Sequence, residues 1–149
     1  MVLYHLTPKF LGAKCFLKPK SHGDNNPDRI CTTPSVAQCL LAIPMDSLNG
    51  TPLKVYKCNT TEYISAGHAE FDTSITKEKW ILTPQKFKLV ATLNSEISLF
   101  IRSFVYADNS GIEDNHLSRR DRLVLLRIRL RAIRSFLKTY KHWIYPLES

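Results

Sequence analysis

Near its N-terminus the chain carries Leu3-Tyr4-His5-Leu6-Thr7-Pro8. Val2 to Leu6 reads as a short first strand that carries an aromatic-histidine pair to its C-terminal end. Thr7-Pro8 then stops the strand, because proline removes a backbone donor and fixes φ. A polar ring placed where a strand gives way to a loop is a common way to build a ligand site. A lone histidine in an apolar strand is more often a core or edge residue. His5 therefore needs partners elsewhere in the chain.

The 149 residues suit one domain, and a hydrophobic fraction of 44% is enough for a core. A charged fraction of 23% argues against disorder. The longest apolar run is far short of the roughly 20 residues that span a bilayer. The N-terminus lacks a basic segment followed by a long apolar one, so a signal peptide is not expected. A cytoplasmic protein with no membrane partner is the expectation. Cys15, Cys31, Cys39 and Cys58 have no CxxC spacing and no histidine at a zinc-finger offset. They read as reduced, mostly buried thiols, and no metal is expected.

Net charge is more telling by location than by total. Between Leu117 and Trp143 stand nine Lys/Arg residues and one acid, Asp121, whereas the remainder of the chain balances to neutrality. The positive excess sits in one C-terminal element.

Lys14 to Leu17 is a second short extended piece, and Lys20 to Pro27 is a loop dense in turn formers. Arg29 to Pro34 is a further strand candidate. Thr33 as N-cap and Pro34 at the first helical position then open a helix over Ser35 to Ile43. Leu53 to Cys58 alternates as a half-buried strand, and Asn59 to Thr76 is irregular. Lys79 to Leu82 is extended and halted by Pro84. Lys86 to Leu93 alternates cleanly and is expected to pair with it.

From Asn94 the pattern turns helical, with Ile97, Phe100, Ile101, Phe104 and Val105 at helical spacing and a stop at Asn109-Ser110-Gly111. A strand over Ile97 to Tyr106 stays open, because the same residues favour β structure. A longer helix begins at Ser118, where Ser118-Arg119-Arg120-Asp121 has the capping-box form. Leu123, Leu126, Leu130, Ile133, Leu137 and Tyr140 form its apolar stripe. Arg127, Arg131, Arg134, Lys138 and Lys141 run beside it.

Three pieces belong together: Leu3-Tyr4-His5-Leu6-Thr7, then Arg29-Ile30-Cys31-Thr32-Thr33-Pro34-Ser35, then Thr76-Lys77-Glu78-Lys79-Trp80-Ile81-Leu82. In order and flanking prolines they resemble the ADP-ribosyltransferase-like fold. In particular they look like small bacterial and phage proteins of the branch with a histidine on the first strand and a glutamate on a late strand. The resemblance covers about Val2 to Leu93. It implies an α+β fold with a small split β-sheet over residues 1–93. Residues 94–149 then form a helical basic region packed on that core.

The resemblance also implies roles. NAD would be the cofactor. His5 would hydrogen-bond the adenosine ribose, and Thr32 and Thr33 would flank the nicotinamide pocket. Glu78 would hold a ribose hydroxyl and stabilise the oxocarbenium-like transition state as nicotinamide leaves. Active family members usually carry an aromatic where Thr33 stands, and a glycine where Lys77 precedes the glutamate.

The implied activity is transfer of ADP-ribose from NAD to a macromolecular target. The alternative is a non-catalytic binding protein on the same fold. In either case Arg127, Arg131, Arg134, Lys138 and Lys141 would meet nucleic acid or an acidic protein partner.

Overall fold

The computed structural model describes residues 1–43, 47–66, 73–105, 118–141 and 144–146. The elements run β1 (Val2–Thr7), β2 (Lys14–Leu17), β3 (Ile30–Thr32), α1 (Val36–Ala42), β4 (Leu53–Asn59), β5 (Ile64–Ser65) and α2 (Thr73–Thr76). They continue as β6 (Lys79–Ile81), β7 (Gln85–Leu93), α3 (Ser95–Phe100) with a π-helical extension (Ile101–Val105), α4 (Arg119–Thr139) and β8 (Ile144–Pro146). The fold is α+β, with two antiparallel sheets. The larger has the order β1-β4-β7-β2, with β8 also on β7. The smaller has the order β3-β6-β5.

The sheets meet at one point. Tyr4 N–H donates to the Thr33 carbonyl at 2.8 Å, and Thr33 N–H donates to the Tyr4 carbonyl at 3.0 Å. This bridge ties the middle of β1 to the end of β3. Behind it the sheets enclose a core of Leu3, Ile30, Tyr56, Ile81, Phe87 and Leu89. Tyr56 is buried, yet its hydroxyl donates to the Gly12 carbonyl at 2.9 Å and accepts from Leu11 N–H at 2.8 Å. A buried phenol needs such partners.

A second core lies on the other face of the larger sheet, where Leu53, Val55 and Leu93 meet Leu40, Ile97, Leu130, Ile133 and Phe136. A β-bulge at Val90 of β7, where Ala91 lies across from Val55 and Leu89 across from Tyr56, turns Leu93 toward this core and Phe87 and Leu89 toward the other. Leu53 and Val55 face the helices, and Tyr56 and Cys58 face the smaller sheet. The helical region thus shares its core with the first half of the chain. Phe136 stacks on Phe100 with ring centroids 3.6 Å apart, and packs on Tyr140 at 4.7 Å.

Several expectations are met by geometry. Ser118 caps α4 by accepting from Asp121 N–H at 3.1 Å, and of the expected stripe Leu130 and Ile133 are buried and Leu123, Leu126, Leu137 and Tyr140 partly so, while Phe136, outside that stripe, is buried too. Asn94 caps α3, so residues 95–105 are helical rather than extended. The stop at Asn109-Ser110-Gly111 lies outside the described residues. All four cysteines are free thiols, Cys39 and Cys58 buried, Cys15 and Cys31 partly so. Among the described residues no helix is long and apolar enough to cross a membrane.

Two expectations are corrected. β6 does not pair with β7. It lies between β3 and β5, while β7 lies between β4 and β2. The chain changes sheet at Leu82-Thr83-Pro84, and Trp80 and Ile81 are buried in the smaller sheet. The N-cap of α1 is Ser35 rather than Thr33, its hydroxyl accepting from Gln38 N–H at 3.2 Å. Thr33 cannot start the helix, because its backbone N–H and C=O are both committed to Tyr4.

Ile133 on α4 is fully buried in the core it shares with Leu40, Leu53 and Ile97. Ile133→Ala is expected to cost about 2–5 kcal/mol of stability, from lost burial and the cavity left behind. Chemical denaturation checks this. A cost under about 1 kcal/mol would mean that α4 is not part of the cooperative core.

Candidate functional site

A cavity of about 390 Å³ opens beside the Tyr4–Thr33 junction, and its wall includes His5, His22, Arg29, Cys31, Thr33 and Glu78. Thr32 and Cys39 line it too. The volume falls in the range of small-molecule sites, about 300–1,000 Å³. All four residues singled out for the cofactor, His5, Glu78, Thr32 and Thr33, are therefore on one cavity.

His5 stands on β1 across from Tyr56. Its Nδ1 lies 2.8 Å from the Cys31 carbonyl. A carbonyl only accepts, so Nδ1 carries the proton and donates. In the neutral ring Nε2 is then an acceptor. Burial lowers the His5 pKa below 6.5, and the charges of Lys20 and His22 push the same way, against the Cys31 hydrogen bond. The ring is thus neutral near pH 7.

Glu78 immediately precedes β6, and its backbone carbonyl accepts from Ala66 N–H at 3.1 Å. Lys77 before it has φ +55°, in the left-handed region that favours glycine. The turn at Lys77 redirects the chain from α2 into β6 as Glu78 meets the cavity.

Thr32 and Thr33 are already engaged. Thr32 Oγ1 donates to the Lys79 carbonyl at 2.8 Å. Thr33 Oγ1 lies 2.6 Å from the Ser35 carbonyl and 2.9 Å from Cys39 Sγ. Their hydroxyl protons hold the wall together, which leaves the oxygens as acceptors. Cys39 Sγ contacts the Tyr4 carbonyl at 3.2 Å, and burial pushes its pKa up to about 12.

Sequence reasoning passed over two residues of the cavity, Arg29 and His22. Arg29 is 5% exposed. It forms a two-pronged pair with Asp24, Nη2 to Oδ2 at 2.8 Å and Nη1 to Oδ1 at 3.0 Å, and lies 4.3 Å over the Trp80 ring. The guanidinium holds the Asp24 carboxyl well below the usual carboxylate range. Arg29 Nε is buried without a hydrogen-bond partner among the described residues. A buried, unmatched donor on a cavity wall suits an anionic or carbonyl ligand group. His22 Nε2 lies 3.5 Å from Cys31 Sγ. The signal available for Arg29 was a charged residue opening an apolar strand, with Asp24 in the turn before it. His22 lay in a turn-rich loop with no local pattern.

The basic stripe occupies a second place. Arg127, Arg131, Arg134 and Lys138 are exposed on α4, and Lys141 is exposed just beyond it. Arg127, Arg131 and Arg134 line a basin of about 370 Å³ with Gln38 and Lys77. Lys77 thus stands on the basin and the next residue, Glu78, on the cavity.

Two outcomes test this geometry. Burial pushes the Cys31 thiol up to about 12, and the neighbouring Glu78 carboxylate adds to the shift against Arg29. Glu78→Gln should therefore speed alkylation of Cys31 severalfold, read by peptide mass spectrometry, while Cys39 stays slow. Equal Cys31 rates in the two proteins would separate the thiol from the carboxylate. The lowered His5 pKa means that the folded state binds fewer protons than the unfolded chain as pH falls below 6.5. The stability tied to neutral His5 is complete above pH 6.5 and is lost as pH falls through the folded-state pKa. Thermal melts from about pH 8 to about pH 5 should show a smaller acid loss in His5→Gln than in the parent. Parallel curves would contradict the burial of the neutral ring.

In comparisons with known proteins, no family model, no curated protein and no solved structure matches the chain.

Proposed function

We propose that the cavity binds NAD and that the protein transfers ADP-ribose to a macromolecular target. The observation that carries this reading is the placement of His5 and Glu78, from β1 and the start of β6, on one cavity wall. They are 73 positions apart in the chain. The donor set suits such a ligand. His5 Nε2 can accept from a ribose hydroxyl. Arg29 Nε can donate to a phosphate or carboxamide oxygen. Glu78 supplies an anion where a sugar can bind.

NAD would supply an activated N-glycosidic bond, whose cleavage releases neutral nicotinamide with the bonding electron pair. Positive charge then grows on the ribose, and a fixed carboxylate in a cavity of low dielectric stabilises it more than water does. Glu78 would take that role. The target's nucleophile forms the new bond to the ribose carbon and gives up its proton to solvent. His5 fixes the cofactor's position through its Nε2 and takes no proton in this scheme. Thr32 and Thr33 shape the wall, since their hydroxyl protons serve the fold.

The target would be held by the neighbouring basin of Arg127, Arg131, Arg134 and Lys77, which fits phosphates or an acidic protein surface. The same basin favours the second reading, a non-catalytic binding protein with the cavity as a ligand pocket. Lys138 and Lys141 extend the basic surface along the helix.

Nicotinamide release from NAD, measured by chromatography with nucleic-acid and protein acceptors present, separates the two. The enzyme reading expects turnover that falls at least about 100-fold in Glu78→Gln. His5→Ala should weaken NAD binding by up to about tenfold, with a smaller effect on kcat. NAD binding without release supports the binding-protein reading. No calorimetric NAD binding by the parent protein overturns both cofactor roles.

A further inference from the structure

The larger sheet carries a second cationic surface, away from the cavity and on a different element from the arginine stripe. Lys57 on β4 lies directly across from Lys88 on β7, and Lys88 directly across from Lys14 on β2. One row of three lysines thus crosses three adjacent strands, which sit about 4.8 Å apart. Lys86 lies across from Phe16 in the next position but one. These lysines alternate along their strands with buried Tyr56, Cys58, Phe87 and Leu89. They therefore face away from the smaller sheet. They share the sheet face that α1, α3 and α4 cover at Leu53, Val55 and Leu93, and occupy its other end.

Like charges directly across a sheet destabilise it. None of the four lysines forms an ion pair with a carboxylate among the described residues. An edge lysine is common protection against strand addition, which accounts for Lys14 on β2. It does not account for Lys57 and Lys88, whose strands are paired on both sides at this level. The row instead borders a concavity of about 400 Å³ lined by Lys14, Lys57, Lys86 and Lys88 with Asn59 and Gln85, and by no acidic residue among the described residues. At its margin Phe16 is 67% exposed, with Lys86 Nζ 5.9 Å from its ring centre.

Unpaired cations in a row call for a polyanion, and an exposed aromatic among them calls for a flat partner. Duplexes hide their base faces, whereas single strands offer them. We propose that this end of the sheet binds single-stranded nucleic acid, with phosphates on Lys14, Lys57, Lys86 and Lys88 and a base stacked on Phe16. The site is independent of the cavity, so its failure leaves the cofactor reading as it stands.

The test is fluorescence anisotropy with a labelled oligouridylate of about 12 nucleotides across a salt series. The parent protein should bind with a log–log salt slope of about −2 to −3, as three or four phosphate contacts require on a single strand. Lys57→Ala/Lys88→Ala should weaken binding more than about tenfold and make the slope shallower by about 1.4. The same variant should melt no lower than the parent, because it removes a repulsion, and that separates lost binding from lost fold. Phe16→Ala should weaken binding about tenfold with the slope unchanged. Unchanged affinity in Lys57→Ala/Lys88→Ala overturns the proposal. So does loss confined to Arg127→Ala/Arg131→Ala, equal affinity for a duplex of the same length, or binding to anionic vesicles in place of the oligonucleotide.

Discussion

Tyr4 and Thr33 exchange two backbone hydrogen bonds, and the arrangement of the site depends on that exchange. It is the point where β1 of the larger sheet touches β3 of the smaller one. Two backbone bonds are worth only about 1–3 kcal/mol net. Their importance is geometric. They fix His5, one residue beyond Tyr4, against Cys31. They also bring the smaller sheet, and with it Glu78, to the C-terminal end of β1. The Thr33 hydroxyl and Cys39 thiol lock the same corner from the side, with Cys39 reaching the Tyr4 carbonyl. Polar groups that would be costly to bury are each matched there.

Around this corner the electrostatics are divided. Among the described residues the cavity wall holds one anion, Glu78, one matched cation, Arg29 with Asp24, and two imidazoles. The excess positive charge lies outside it, on α4 and on the outer end of the larger sheet. A chain arranged in this way can keep a small ligand in a nearly balanced pocket while its surface attracts a polyanion. Lys77 and Glu78 are where the two environments meet, on either side of a left-handed backbone turn.

Local periodicity made much of the fold legible. The alternation over Leu53 to Cys58 and Lys86 to Leu93 reported strands half buried against a core. The stripe from Leu123 to Tyr140 reported a helix, because side chains at spacings of three and four share one face. What stayed hidden was tertiary. Strands β6 and β7 are separated by three residues, the length of a hairpin loop, yet they belong to different sheets. Nothing local at Leu82-Thr83-Pro84 records that choice, which follows from where Trp80 and Ile81 can be buried. Ile64–Ser65 is too short and exposed to show a period. Thr33 and Ser35 are both N-cap residues, and Thr33 is excluded because its backbone is committed to β1. His5, Thr32, Thr33 and Glu78, singled out through the resemblance, line one cavity, with His5 inside β1 and the other three at or just outside strand ends. The lysine row was invisible because register, not sequence spacing, assembles it.

The central claim is that His5 and Glu78 face one ligand in one cavity, and histidine-labelled protein tests it most directly. In a titration with NAD followed by nitrogen–proton NMR of the imidazole rings, the His5 signal should shift and saturate together with that of His22, the other ring on the wall. The Glu78→Gln protein should show the same shifts with weaker affinity. If NAD moves other histidines but leaves His5 and His22 unmoved, the cavity is not the NAD site and the account is wrong.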